Sequence, residues 1–200
     1  IDHIGILFFP GELIFRIIGR LALPIFAYQL SIGYQYTSDK NRYLSRLWVF
    51  ALLSQIPYSL AFQTLDLNIL FVLFLSLFMI HQYANKRYYA VPFIIGLVVL
   101  FEWMSSVPSF SYGLYALLLP FFFYLFRAYK PYALFTLSLV TVLEIFGASH
   151  PIQLFAIVGF LLCLYIPVDK WRIKLNKYVF YWFYPIHLLA LWGIERLFFQ

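Results

Sequence analysis

Few residues in this chain can do chemistry, which makes their spacing informative. Asp2 and His3 are adjacent, and Arg16 and Arg20 follow at i and i+4, on one helical face. The Pro10-Gly11 break separates the two pairs, and the distances of Arg16 and Arg20 from it bracket that of His3. Antiparallel helices meeting at that break bring a carboxylate, an imidazole and two guanidiniums to one depth, roughly 10 Å from the turn at about 1.5 Å per residue. An imidazole beside a carboxylate suits general acid–base work, and a nearby guanidinium suits a developing oxyanion. Lys40, Arg42 and Arg46 form a second group, again with two arginines on one face. Paired guanidiniums of this kind fit a phosphate-bearing ligand through bidentate hydrogen bonds. The remaining candidates are His187 within the last apolar stretch, Glu144 as lining of an acceptor cavity, and Asn68, which begins a helix and suits an N-terminal cap as well as a site. No Walker loop, dinucleotide glycine pattern, Gly-x-Ser-x-Gly or zinc-ligand spacing occurs, so no metal is expected.

The elements that must position these groups follow from composition. The 200 residues are 64% hydrophobic, 23% aromatic and 11% charged, whereas soluble chains average about 45–50% apolar and about 25% charged. A chain of this size has too little interior to hide so much Phe, Leu, Ile and Tyr. Soluble enzymes, disulfide-rich secreted modules and disordered tails are excluded, and the lone Cys163 reads as a small core residue. The expectation is an all-α, polytopic membrane helix bundle forming one integral membrane domain over residues 1–200, with about nine transmembrane helices. Residues 1–9 read as the last turns of a first helix that is incomplete at its N-terminus. Further spans are expected near 12–35, 43–62, 66–84, 88–104, 111–128, 132–147, 152–167 and 178–198. Pro24, Pro57, Pro120 and Pro185 fall inside spans, which lipid-embedded helices tolerate.

Most of the basic residues fix orientation. Of the 14 Lys and Arg, Lys40, Arg42, Arg46, Lys86, Arg87, Arg127, Lys130, Lys170, Arg172, Lys174 and Lys177 fall at every second junction. The positive-inside rule makes those junctions cytoplasmic and the C-terminus extracytoplasmic, in a multi-pass protein of the cytoplasmic membrane. The net charge of +6 is thereby topology, and no nucleic acid is expected. Once loop charges are set aside, Asp2, His3, Arg16 and Arg20 remain at membrane depth, where unpaired polar groups are expensive. His81 and His150 read as an interfacial and a loop residue, and Glu102 either lines the acceptor cavity with Glu144 or caps a helix end.

Asp2-His3-Ile4-Gly5, followed by Ile18-Gly19-Arg20-Leu21-Ala22-Leu23-Pro24-Ile25-Phe26-Ala27, resembles the TraX family of integral membrane proteins. Gly33-Tyr34, Arg46-Leu47, Ser54-Gln55-Ile56-Pro57, Leu67-Asn68-Ile69-Leu70-Phe71 and Phe183-Tyr184-Pro185-Ile186-His187 continue the match in order. The resemblance implies N-terminal acetylation of conjugative pilin. More distantly the chain is similar to the transmembrane acyltransferase (acyltransferase-3-like) superfamily, with Ser-Ile-Gly at 31–33 where that superfamily has Ser-Gly. That likeness implies a catalytic His3, a Phe-rich segment at 25–33, and Arg42 and Arg46, with Lys40 beside them, as the residues binding acyl-CoA.

The functional expectation is an acetyltransferase that takes its acetyl group from cytoplasmic acetyl-CoA. The acceptor is an amine, a pilin or peptide N-terminus, at the outer half of the membrane. His3 deprotonates the acceptor or carries the acetyl group itself, Asp2 orients the imidazole, and Arg20 or Arg16 stabilises the oxyanion. Glu144, His187, Asn68 and Arg16 are the acceptor-side candidates, and membrane lipid is a partner. The alternatives are O-acetylation of an envelope glycan and, in another class, a small-solute transporter using the buried Asp2, Arg20 and His187.

Overall fold

A computed structural model describes residues 2–9, 11–104, 109–110, 112–147, 151–166 and 177–198. Among these the chain is all-α, with ten α-helices, one 3₁₀ turn and no strand beyond an isolated bridge between Leu67 and Phe110. The helices fall where the apolar stretches place them. They are α1 (Asp2–Phe8), α2 (Leu13–Gly19), α3 (Ala22–Tyr36), α4 (Lys40–Phe62) and α5 (Ile69–Ala84). Then come α6 (Ala90–Trp103), α7 (Gly113–Leu125), α8 (Lys130–Gly147), the 3₁₀ turn η1 (Pro151–Phe155), α9 (Ala156–Tyr165) and α10 (Lys177–Phe198). His150, Asp169, Lys170, Arg172 and Lys174, read from sequence as loop residues, lie outside the described residues.

Residues 12–35 are not the unbroken span expected. Arg20 N–H donates to both Arg16 O at 3.1 Å and Ile17 O at 3.2 Å, and Leu21 N–H turns to Ile18 O at 3.1 Å. The ladder therefore tightens and ends at Arg20. Pro24 supplies the reason: it has no N–H for the Arg20 carbonyl four residues back, and its ring crowds that carbonyl. Pro57, Pro120 and Pro185 are carried inside continuous helices. The break leaves Arg20 as the cap residue of α2.

The helices group into two compact units, Ile1–Gln35 with Leu118–Ile173, and Tyr36–Leu117 with Lys174–Gln200. In the first unit Phe123 of α7 stands edge-on to Tyr28 of α3 and to Phe160 of α9. Gly159 of α9 lies against Pro24, where an added Cβ would come within 2.8 Å of the proline Cβ. In the second unit α4 packs on α5 through Trp48, Phe71 and Phe74, and on α10 through Phe50, Tyr181 and Trp182.

The exterior is apolar. Phe93, Trp103 and Phe146 are 72%, 81% and 84% exposed, among many other large exposed side chains. So many large apolar side chains left outside suit a protein or lipid contact. Leu13–Tyr36 and Lys130–Gly147 are long and apolar enough to cross a membrane, and Ile69–Ala84, Ala90–Trp103, Gly113–Leu125 and Pro151–Tyr165 are apolar but shorter. These features are compatible with a membrane protein.

Candidate active site

The site is built on the hairpin of α1 and α2. Two glycines let these short helices approach: a Cβ on Gly5 would lie 2.5 Å from Phe15 Cβ, and one on Gly19 would lie 2.3 Å from Asp2 Cβ. Phe9 and Phe15 stack across the turn, with ring centroids 5.1 Å apart and planes within 7°. The close approach sets Asp2 against both arginines. Its Oδ1 lies 3.3 Å from Arg16 Nε and 3.6 Å from Arg20 Nη2. The Asp2 and Arg20 side chains are only 17% and 10% exposed, and Arg16 is 34% exposed. In such surroundings a charge pair is less screened than in water, and removing one partner leaves a costly buried charge.

Arg20 also reaches a residue that sequence reasoning missed. Its Nη1 donates to Gln153 Oε1 at 3.1 Å, and Gln153, in η1, is 3% exposed. One guanidinium thus meets two oxygens from different nitrogens, an ion pair with Asp2 on α1 and a hydrogen bond to Gln153 on η1. No local signal marks Gln153, because the pairing spans 133 positions. His3 is half-buried on α1 beside Asp2, and Glu144 is half-buried on α8 in the same unit. Both carry interactions with their surroundings.

The other candidates belong to the second unit. Asn68 is fully buried and caps α5, its Oδ1 accepting from Leu70 N–H at 3.0 Å. Its Nδ2 donates to Ala51 O at 2.8 Å and to Gln55 Oε1 at 3.0 Å. Gln55 Nε2 in turn donates to Asp66 O at 2.8 Å and Ser59 Oγ at 3.1 Å. Both polar atoms of the Asn68 side chain therefore serve the fold. Asp66 extends the network, accepting at Oδ1 from Ser109 N–H at 2.9 Å and Ser109 Oγ–H at 3.1 Å, and at Oδ2 from Thr64 Oγ1–H at 3.0 Å. Burial pushes the Asp66 carboxyl up, but these hydrogen bonds outweigh it and hold the group below its usual range. Of the two roles open to Glu102, the described contact is a cap, its Oε1 accepting from Leu114 N–H at 2.8 Å.

Arg42 and Arg46 sit one turn apart at the start of α4. Arg42 is largely exposed, its Nε lying 3.6 Å from Asp39 Oδ2, and Asp39 Oδ1 caps the helix through Arg42 N–H at 2.8 Å. Arg46 is half-buried, over the Tyr43 ring at 5.8 Å, and its buried Nε has no hydrogen-bond partner among the described residues. Lys40 Nζ donates to Thr37 O at 2.5 Å. His187 is half-buried on α10, its Nδ1 2.8 Å from Phe183 O and its ring stacked on Phe183 at 4.9 Å. Facing a carbonyl, Nδ1 must carry the proton, so Nε2 is the acceptor of the neutral ring. Among the described residues no three His, Cys, Asp or Glu side chains gather as metal ligands.

The fold and site define a protein that is helical over its described residues, membrane-compatible, and built with a partly buried carboxylate–guanidinium cluster on its first hairpin. Sequence comparison then assigns the family. The chain belongs to the TraX family, the match to the family description "TraX protein" running over residues 1–195. The uncharacterized protein RP591 of Rickettsia prowazekii (strain Madrid E) is 32% identical over 116 residues, covering 56% of this chain and 45% of the relative. The chain thus matches under half of that relative's length. No solved structure matches.

Proposed function

We propose that this TraX-family chain is a multi-pass membrane acetyltransferase, distantly similar to the acyltransferase-3-like proteins, with its basic junctions cytoplasmic. It moves an acetyl group from acetyl-CoA to an acceptor amine, such as a pilin or peptide N-terminus, at the outer half of the membrane. The observation that carries the reading is the partly buried ion-paired set of Asp2, Arg16 and Arg20, with the half-buried His3 next to Asp2 in sequence on α1. A polar cluster of this kind in an apolar setting costs more than apolar packing would, so it earns its place through chemistry.

In the proposed reaction the His3 imidazole takes a proton from the acceptor amine as its nitrogen attacks the thioester carbonyl. The tetrahedral oxyanion is stabilised by the Arg20 guanidinium, held in place by Asp2 and Gln153. Collapse breaks the carbon–sulfur bond, and the departing CoA thiolate takes the proton back from the imidazolium. The acetylated amine and CoA leave, and the imidazole is neutral again.

For the donor, Arg46 suits a phosphate, because the residue is half-buried and its buried Nε has no hydrogen-bond partner among the described residues. Arg42 and Lys40 would add charge at the same helix start, with the phosphate displacing the exposed Asp39 carboxylate from Arg42. The test is transfer of labelled acetyl from acetyl-CoA to envelope peptides, read by mass spectrometry, in membranes carrying the wild-type chain or His3→Gln. Loss of a general base predicts a fall of about 10²–10⁴-fold at equal membrane levels. Undiminished transfer by His3→Gln refutes the assignment.

A further inference from the structure

Helix α8 of the first unit has two faces of opposite character. Ala133, Leu137 and Thr141 are fully buried, whereas Tyr132, Phe135, Leu139, Leu143 and Phe146 form an exposed stripe at helical spacing, between 45% and 84% exposed. The 18-residue helix that carries it is about 27 Å long, close to the roughly 30 Å of a bilayer core. Amphipathic groups gather where the stripe begins. Tyr129 and Tyr132 are 64% and 63% exposed, and Lys130 Nζ lies 5.6 Å above the ring of Tyr165. Tyrosines and basic residues at a helix end belong at headgroup depth. Glu144 lies far along α8, about 21 Å from Lys130 at about 1.5 Å per residue.

At this same end an open cleft of about 530 Å³ is lined by Gln35, Tyr124, Leu125, Arg127 and Ala128. Arg127 Nη1 donates to Gln35 Oε1, which ties the guanidinium across the ends of α3 and α7. Tyr124 is held edge-on against Tyr34 at 5.8 Å. Among the described residues no carboxylate lines the cleft. Its wall thus offers a guanidinium, an amide and a phenol ring at the level of the basic tyrosine belt.

We propose that this cleft binds the headgroup of an acidic phospholipid, its phosphate on Arg127 and its acyl chains along the apolar stripe of α8. The proposal rests on the membrane reading above but not on acetyl transfer. A guanidinium at the membrane surface contributes roughly fivefold to affinity for anionic lipid, and a ligand that binds only the folded chain raises its unfolding temperature saturably.

The experiment has two stages. Flotation of the full chain with phosphatidylcholine vesicles tests membrane insertion alone, and failure to float overturns the membrane reading together with this proposal. Thermal unfolding in detergent is then titrated with short-chain phosphatidylglycerol, short-chain phosphatidylcholine, CoA and inorganic phosphate. Saturable stabilisation by phosphatidylglycerol, absent with phosphatidylcholine, weakened roughly fivefold by Arg127→Gln and largely kept by Arg127→Lys, supports the site. A floating chain overturns this proposal alone if both lipids act equally, or if Arg127→Gln responds like wild type. An Arg127-dependent shift that comes from CoA or inorganic phosphate, and not from phosphatidylglycerol, overturns it as well.

Discussion

Gly19→Ala tests whether close packing of α1 on α2 is what assembles the charge cluster. The added Cβ would lie 2.3 Å from Asp2 Cβ and 2.7 Å from both Asp2 Cγ and Oδ1. These are the root and the charged end of the side chain that pairs with Arg16 and Arg20, so α1 must shift or Asp2 must leave its partners. Overpacking of this kind costs about 1–3 kcal/mol, and the better helix propensity of Ala returns at most about 1 kcal/mol. A 2.3 Å approach lies far inside van der Waals contact and puts the cost in the upper part of that range, about 2–3 kcal/mol, so the net loss is about 1–2 kcal/mol, or about 2–8 °C in Tm for a chain of this length. Cys163 is the sole cysteine and is buried in the same unit, its Sγ 3.9 Å from Pro24 O. Its reaction with a thiol dye on heating therefore reports opening of that unit. Gly96→Ala and Gly193→Ala are the controls, since a Cβ at either meets nothing within 4 Å. Both should be neutral or slightly stabilising. If Gly19→Ala melts with these controls, the packing account of the cluster is wrong.

Two further predictions concern the second unit. Asn68→Ala removes the α5 cap, about 1 kcal/mol, and strands the Ala51 carbonyl and Gln55, about 1–3 kcal/mol more; a loss below about 1 kcal/mol in thermal unfolding would contradict the hydrogen-bond assignment. Asp66 titrates lower in the folded chain than its ordinary value of 3.8, so its contribution is complete above that value and is lost as pH falls through the lower folded value. Amide exchange at Ser109, whose N–H it accepts, should stay slow at mildly acidic pH and accelerate below that window, and protection unaffected at the acid end would refute the tie.

Much of this fold was legible because the punctuation was strong. Lys86, in the Asn85-Lys86-Arg87 junction, has positive φ, and α8 starts at Lys130, as the basic junction there implied. Asp2, Arg16 and Arg20 were also legible as neighbours, since helical spacing and a Pro-Gly turn fix which faces meet. The break at Arg20 was not, because Pro24 has the same local appearance as Pro57, Pro120 and Pro185, around which the helices continue. What differs is tertiary: Pro24 packs against Gly159, and its carbonyl faces Cys163 Sγ. Gln153 was hidden for a related reason, as only the folding of η1 onto the first hairpin brings it to Arg20. Asn68 was read both as a cap and as a site residue; the cap bond to Leu70 followed from spacing, whereas Ala51 and Gln55, 17 and 13 positions away, were beyond its reach.

The stretch from Gly19 to Pro24 joins fold and chemistry at one point. Gly19 admits Asp2, Arg20 grips Asp2 and Gln153, Leu21 Cα lies 3.6 Å from where a Gly159 Cβ would be, and Pro24 ends the helix ladder while packing on α9. One guanidinium is thereby fixed by acceptors on two separate elements, at the end of a helix that cannot continue. A group so held has little freedom left to lose, which is what the acetyl transfer proposed above would require of a charge that meets a developing oxyanion. Lysine cannot reproduce this, having one compact ammonium in place of a planar fork that serves Asp2 and Gln153 from different nitrogens. Rigid fixation also has a cost for experiments: replacing Arg20 disturbs packing and chemistry together. Kinetics after substitution at His3, rather than at Arg20, are therefore the sharper probe of acetyl transfer.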